Sequence, residues 1–206
     1  MLNIGVLISG NGTNLQAIID GIDKGIIKGQ IRLIISNKKD AYGLQRGKNA
    51  NIESIYIDPK EYDDEEYSNR LIKELKEREV ELVILAGFLK ILPKKFINEY
   101  KNRIINIHPS LIPSFCGKGY YGERVHKAVL DYGVKYTGAT VHFVDEGADT
   151  GPIIMQEVVK VEDSDTVDTL REKVLKVEHK LLVESVKLYC ESRISVKGRR
   201  VNISWE

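Results

Sequence analysis

The sequence predicts an α/β protein with a single-domain, Rossmann-like, mostly parallel sheet flanked by helices and an antiparallel C-terminal portion. Up to residue 107, short runs rich in Ile and Val alternate with segments of helical spacing. Such alternation implies right-handed crossovers and a parallel sheet covered on both faces. After residue 108, two strand-like runs are joined by only a short acidic loop, which is typical of an antiparallel pair. The length, without internal repeats or a linker, predicts one domain over residues 1–206.

The first half is predicted to contain five strands and four helical segments. The strands are short and apolar, at residues 4–8, 31–36, 52–57, 82–86 and 104–107. The helices are predicted at residues 14–23, 41–49 and 65–78, with a short helical stretch at 93–100. On the third helix the inward side chains are predicted to be Leu71, Ile72 and Leu75. The solvated face of that helix is predicted to carry Glu66, Arg70, Lys73, Glu74 and Glu77.

The second half begins with an irregular segment at residues 109–122, which holds two prolines and three glycines. A helix is predicted at 123–132, followed by strands at 137–145 and 152–161. The polar residues 163–166 favour a helix start, and apolar residues then recur at helical spacing as far as Leu188. The tail at 194–205 is predicted to form a hairpin that turns at residues 197–199.

Composition and charge exclude several classes of protein. No apolar run approaches the roughly 18 residues that a membrane helix needs, and the first residues lack a charged leader and a cleavage site, so we expect a cytoplasmic protein. A net charge of +1 argues against a nucleic-acid partner bound by broad electrostatic attraction. Two cysteines cannot form a disulfide framework or a multi-cysteine zinc site. The expected partners are small molecules, and the chain is expected to be a monomer or a homodimer.

Two glycine-rich segments have different meanings. Residues 117–122 match the pattern G-x-G-x-x-G, but the preceding strand ends about ten residues earlier and two prolines intervene, so we interpret them as a loop. Residues 9–14, Ser-Gly-Asn-Gly-Thr-Asn, directly follow the first strand and open the first helix, where free amides favour an anion. This segment fits a phosphate monoester better than NAD or ATP. The alternative is a glycine turn that only caps the helix.

A polar cluster is expected at the carboxyl end of the fifth strand, the edge at which ligands bind to open α/β sheets. Asn106 and His108 lie two residues apart, so their side chains point to the same side. The acidic loop 145–151 offers carboxylates, and a carboxylate beside an imidazole raises the imidazole pKa. Asn, His and Asp together could stabilise an oxyanion and move protons in acyl transfer. No Ser or Cys nucleophile with an evident base accompanies them, which favours direct attack by a group of the substrate.

The histidines also have purely structural interpretations. A histidine at a strand end is commonly a satisfied structural group. His142 is interpreted as core or as a supporting group of the site, and His126 and His179 as structural. A metal site built from His108, His126, His142 and Cys116 lacks any recognised ligand spacing, so no metal is expected.

The segment Asn106-Ile107-His108-Pro109-Ser110-Leu111-Ile112-Pro113 resembles the N-x-H-x-S-L-L-P signature of the folate-dependent formyltransferases, with Ile112 in place of the second Leu. Residues 8–18, 85–92 and 141–152 extend the resemblance, which runs from residue 3 to about residue 190. It implies transfer of a formyl group from the cosubstrate 10-formyltetrahydrofolate to the amine of a phosphoribosylated glycinamide, in purine biosynthesis.

The resemblance also implies roles for particular residues. The catalytic trio would be Asn106, His108 and Asp149, and the phosphate-binding loop would comprise Gly12, Thr13 and Asn14, with Glu178 contacting the glycinamide. The folate pocket would be formed by Leu89, Lys90, Ile91 and Leu92, by Asn106, and by the backbone of Asp145, Glu146, Gly147, Ala148 and Asp149. One position departs from the family pattern: Asp64 stands where many relatives carry an Arg near the folate tail, which puts that contact in doubt.

These roles predict a mechanism. The substrate amine attacks the formyl carbon, His108 as imidazolium and the Asn106 amide stabilise the oxyanion, and Asp149 raises the His108 pKa and helps to move the proton. Three alternatives share features of the sequence. Methionyl-tRNA formyltransferase and formyltetrahydrofolate deformylase share the signature but normally carry an extra domain, which we do not expect in a chain of this length. A phosphate-ligand sensor on the same fold would need the Gly12 loop but not the catalytic trio.

Overall fold

The computed structural model describes residues 1–205. By its internal contacts the chain divides into two compact units, Met1–Asn106 and Ile107–Glu206. None of the helices within residues 1–205 combines the length and the hydropathy that crossing a bilayer requires. The predicted α/β class is confirmed, with parallel strands in the first unit and an antiparallel pair in the second. The prediction of a single domain stays a prediction.

The first unit is a parallel sheet with helices between its strands. The strands are β1 (Leu2–Ile8), β2 (Gly29–Ser36), β3 (Ser54–Tyr56), β4 (Leu82–Leu85) and β5 (Ile104–His108), in the order β3-β2-β1-β4-β5. The helices are α1 (Thr13–Asp23), α2 (Tyr42–Asn49), α3 (Asp64–Lys76) and α4 (Lys94–Glu99). Ile4, Val6, Leu7 and Ile8 of the central strand β1 are fully buried. Burial on both faces explains why this strand is an almost unbroken apolar run.

Helix α3 begins at a capping box, in which Asp63 accepts from the amides of Glu65 and Glu66 and the Glu66 side chain accepts from the Asp63 amide. The predicted inward residues Leu71 and Leu75 are buried, whereas Ile72 is half-buried.

The prediction that Glu74 belongs to the solvated face of α3 is wrong. Glu74 is 6% exposed. Its carboxylate lies 2.7 Å from the Arg70 guanidinium and 2.8 Å from that of Arg78. A buried carboxylate needs charged, hydrogen-bonding partners of this kind, and helical periodicity alone does not reveal them.

The second unit contains β6 (Tyr136–Phe143) and β7 (Ile153–Lys160), paired antiparallel as predicted, with helices α5 (Glu123–Tyr132) and α6 (Val167–Cys190). The register of β6 and β7 shifts between Val141 and His142, just before the acidic loop. Thr166 and Thr169 cap the start of α6 reciprocally, as the polar cluster predicted. The tail forms the predicted hairpin, β8 (Ile194–Lys197) and β9 (Arg200–Ile203).

His126 lies buried on α5, in agreement with its structural interpretation. It is 3% exposed, and its Nδ1 makes no hydrogen bond within residues 1–205. Burial, helped by the positive charges of Arg171 and His108, lowers the pKa of His126 from 6.5 to about 4. The fold therefore favours the neutral imidazole.

We expect this histidine to destabilise the fold in acid. Between pH 6.5 and about pH 4 the unfolded chain binds a proton at His126 that the folded chain does not, so the free energy of unfolding falls as the pH falls through this window. The full loss at this site is on the order of 3 kcal/mol. Urea unfolding at pH 7 and pH 4.5 measures it: wild type should lose more stability on acidification than His126→Leu. Equal losses in the two proteins would show that His126 is not responsible.

Candidate active site

Asn106 and His108 occupy the carboxyl end of β5, as predicted. Their alternate positions on one strand direct both side chains to the same side. His108 is 4% exposed, and its Nε2 lies 2.9 Å from the carbonyl oxygen of Phe115. Because a carbonyl can only accept, Nε2 carries a proton and donates it to this bond. The imidazole is thus oriented by the irregular segment that follows β5.

Asp149 lies between two histidines in the second unit. Its Oδ2 is 3.5 Å from His108 Nδ1, and its Oδ1 is 3.6 Å from His142 Nε2. The amide of Gly117 donates to Oδ2 over 2.9 Å. His142 Nδ1 in turn bonds the carbonyl oxygen of Phe143 over 2.8 Å. His142 therefore lies beside the Asp149 carboxylate, in agreement with its interpretation as a supporting group of the site rather than as a core residue only.

The electrostatics of this pair correct one expectation. Burial lowers the pKa of His108, and the attraction of Asp149 and the bond to Phe115, which raise it, do not outweigh burial. Asp149 raises the pKa of His108 as expected, but burial has the larger effect, so the expectation that His108 is held as an imidazolium is wrong in direction. Burial raises the pKa of Asp149, but bonding from His142, the charge of His108 and the Gly117 amide outweigh it and hold that pKa below its ordinary value. Asp149 is ionised and His108 favours the neutral form.

The glycine loop of residues 9–14 lies in the first unit, at the start of α1. Gly12 is the N-cap residue, with a left-handed backbone (φ 72°), and no side chain caps this helix end. Thr13 and Asn14 form the first turn, so their amides point out of the helix. A Cβ at Gly12 would lie 2.8 Å from Gly43 Cα, on α2. Gly12 is therefore required both for its φ and for the close approach of α2.

Arg46, on α2, bonds to this loop and was not predicted from the sequence. Its guanidinium donates to the Asn11 carbonyl over 2.8 Å, to Asn11 Oδ1 over 3.0 Å and to Gln16 Oε1 over 3.1 Å. The loop itself has no charged residue, so Arg46 supplies a positive charge beside it. Its separation of 35 residues from Asn11 leaves no local signal. Ser9, the first residue of this loop, accepts a hydrogen bond from the Leu89 amide over 2.8 Å.

The predicted folate residues 89–92 follow β4 in the first unit. Leu89 and Ile91 are 49% and 63% exposed, whereas Leu92 is buried in the core. Lys90 lies 3.5 Å from the Asp64 carboxylate and stacks over the Tyr67 ring, 5.2 Å from its centroid. Two apolar side chains thus face solvent beside a lysine that Asp64 already pairs.

The acidic loop between β6 and β7 is held by its own residues. Asp145 Oδ1 accepts from the Gly147 amide over 3.2 Å and from Thr150 Oγ1 over 2.5 Å. Asp149 adopts a left-handed backbone (φ 58°). Glu146 is exposed, and Ala148 is half-buried like Asp149. Glu178, on α6 in the same unit, is 8% exposed.

Cys116 and the histidines do not assemble into a metal site. Among residues 1–205 no group of three or more His, Cys, Asp or Glu side chains is arranged to hold a metal ion. Burial, together with the negative charge of Asp149, raises the pKa of the Cys116 thiol, and that thiol donates to the Pro113 carbonyl over 3.3 Å. A thiol of this kind is a poor nucleophile at neutral pH.

Comparison with known proteins gives a consistent result. The sequence family described as formyl transferase matches residues 2–186. A chloroplastic phosphoribosylglycinamide formyltransferase of Vigna unguiculata is 42% identical over 93% of this chain, which spans 62% of the length of that relative. A phosphoribosylglycinamide formyltransferase of Escherichia coli is 38% identical over 99% of this chain and 93% of its own length. The crystal structure of glycinamide ribonucleotide transformylase 1 from Symbiobacterium toebii superposes with a TM-score of 0.93 at 44% identity, covering 98% of this chain and 94% of that one.

Proposed function

Because the chain belongs to the formyl transferase family, we propose that it transfers a formyl group from 10-formyltetrahydrofolate to the amine of phosphoribosylglycinamide, a step of purine biosynthesis. The names of the relatives from Vigna unguiculata and Escherichia coli support this acceptor. The observation that carries the proposal is the ionised Asp149 held 3.5 Å from the buried His108, whose imidazole points to the same side of β5 as Asn106.

Direct attack by the substrate amine fits these residues. Cys116, the thiol beside the pair, is made a poor nucleophile by its raised pKa. Asp149 is 16% exposed at its side chain and can exchange a proton with a substrate or a water molecule. The His108 side chain is 5% exposed, so its N–H acts in surroundings from which water is largely excluded.

In the proposed mechanism the amine attacks the formyl carbon as a new carbon–nitrogen bond forms. The Nε2–H of His108 donates to the developing oxyanion in place of the Phe115 carbonyl, and the Asn106 amide donates beside it. Asp149 accepts the proton that the amine loses. This proton then passes to N10 of the folate as the bond from the formyl carbon to N10 breaks, which leaves a formamide and tetrahydrofolate.

Each part of the substrates would be bound by residues that suit its chemistry. The amides of Gly12, Thr13 and Asn14 would bind the phosphate at the start of α1, with Arg46 adding positive charge. The buried carboxylate of Glu178 would attract the glycinamide amine. Leu89 and Ile91, both exposed, would pack on the folate ring. Asp64 pairs Lys90 and adds negative charge there, which disfavours the anionic glutamate tail at this point.

A formyl-transfer assay tests the proposal. Purified protein is incubated with 10-formyltetrahydrofolate and phosphoribosylglycinamide, and the formylated product and tetrahydrofolate are quantified by mass spectrometry. We expect equal amounts of the two products, and far less formylation of glycinamide without the phosphoribosyl group. Release of formate without formylated product would instead indicate a deformylase. Binding of phosphoribosylglycinamide without turnover would indicate a sensor.

A further inference from the structure

Thr140, on β6, is a fully buried hydroxyl whose hydrogen-bonding capacity is completely used. Its Oγ1 donates to the carbonyl oxygen of Ser110 over 2.6 Å. It accepts from the Ile112 amide over 3.1 Å and from Gln156 Nε2 over 2.9 Å. Gln156, on β7, also donates to the Ile112 carbonyl over 3.0 Å. The Thr140–Gln156 pair therefore holds the chain at residues 110 and 112, directly after His108.

Residues 110–114 form a turn that is held by its own hydrogen bonds. Ser110 Oγ donates to the Ser114 carbonyl over 2.6 Å, and the Ser114 amide donates to the Leu111 carbonyl over 2.9 Å. Ser110 is fully buried. The turn at residues 110–114 is thereby fixed at both ends, and the backbone leaves it in a defined direction.

The next residues supply the backbone groups that orient the catalytic pair. The carbonyl of Phe115 accepts from His108 Nε2, and the amide of Gly117 donates to Asp149 Oδ2, each over 2.9 Å. Hydrogen bonds from Gln156 and Thr140 thus fix the turn at 110–114, and the backbone that continues from this turn bonds to both His108 and Asp149. Thr140 and Gln156 are themselves held in place because they face each other in the paired strands β6 and β7.

We propose that Thr140 and Gln156 are positioning residues for formyl transfer, which set the orientation of His108 and Asp149 through residues 110–117. The inference rests on the proposed function and adds two residues whose hydrogen bonds go to Ser110 and Ile112 and to each other. A displacement of about 1 Å at reacting groups can cost on the order of 100-fold in rate. Loss of the Thr140 hydroxyl removes its hydrogen bonds to Ser110, Ile112 and Gln156. We expect the turn at 110–114 to shift, and His108 and Asp149 with it, which should lower kcat.

Thr140→Val tests this, because valine keeps the shape of threonine and lacks only the hydroxyl. We expect kcat to fall at least about tenfold, with KM for phosphoribosylglycinamide within about twofold of wild type. Thr140→Ser keeps the hydroxyl and should recover kcat to within about threefold of wild type. A Thr140→Val protein with wild-type kcat, a Ser variant as impaired as Val, or a loss confined to KM would each overturn the inference.

Gln156 gives a second test that does not disturb the core, because its side chain is exposed. Gln156→Met removes the bonds to Thr140 and Ile112 and should lower kcat about three- to tenfold. Val158→Thr on the same strand, also exposed, is the matched control and should leave kcat unchanged. Equal kcat values for Gln156→Met and wild type would count against the pair even where Thr140→Val fails to fold. Inactive wild-type protein would instead refute the proposed function.

Discussion

Asp149→Asn is expected to lower kcat for formyl transfer at least about 100-fold while leaving phosphoribosylglycinamide bound. The amide keeps the size of the carboxylate, can still accept from the Gly117 amide, and tolerates the left-handed backbone at this position. It removes the base that accepts the amine proton. Steady-state kinetics, with calorimetric titration of phosphoribosylglycinamide, separates the two effects.

Asp131→Asn is the matched control for this charge change. Asp131 lies exposed on α5, where it pairs with Lys127, and its neutralisation should change neither kcat nor affinity. Wild-type turnover by Asp149→Asn would exclude Asp149 from the chemistry. Lost binding of phosphoribosylglycinamide by that variant would indicate a role in substrate affinity instead.

Gly12→Ala is expected to raise KM for phosphoribosylglycinamide at least about tenfold, with a smaller change in kcat. The added Cβ would lie 2.8 Å from the Gly43 backbone, and the left-handed φ of 72° costs a non-glycine residue about 1–2 kcal/mol. The loop must therefore move, and the amides proposed to bind the phosphate move with it. Initial rates at varied phosphoribosylglycinamide, with the folate saturating, measure the effect.

Gly10→Ala provides the comparison within the same loop. A Cβ at Gly10 would meet nothing within 4 Å, and its backbone is not left-handed. It should keep KM within about twofold of wild type. If Gly12→Ala binds phosphoribosylglycinamide as well as Gly10→Ala does, the phosphate is not held by this loop.

The central strands β1 and β4 could be predicted from the sequence because burial on both faces makes each of them an almost continuous apolar run. β1 and β2 each begin only two residues earlier than predicted. The prediction at 52–57 was longer than the observed β3, Ser54–Tyr56, an edge strand that is only partly buried. An edge strand pairs on one side only, so apolar residues at its ends need not join the ladder.

The site could be predicted only in part. The polar residues at the end of β5 and the glycine loop follow from strand ends and helix starts, which are local features. The contacts of Asp149 with Gly117, 32 residues away, and of Arg46 with Asn11, 35 residues away, depend on the tertiary fold. The direction of the His108 pKa shift could not be predicted either, because it depends on how deeply the imidazole is buried.

The left-handed backbone of Asp149 has a consequence for how this protein can be improved. At a φ of 58° a glycine would relieve backbone strain on the order of 1 kcal/mol, but it would also remove the carboxylate that accepts from the Gly117 amide, which costs about 1 kcal/mol. Because the two effects are of similar size, selection for thermostability alone would not hold the aspartate here, whereas selection for turnover would retain it. Libraries screened only for heat resistance can therefore lose activity at this position without any loss of stability.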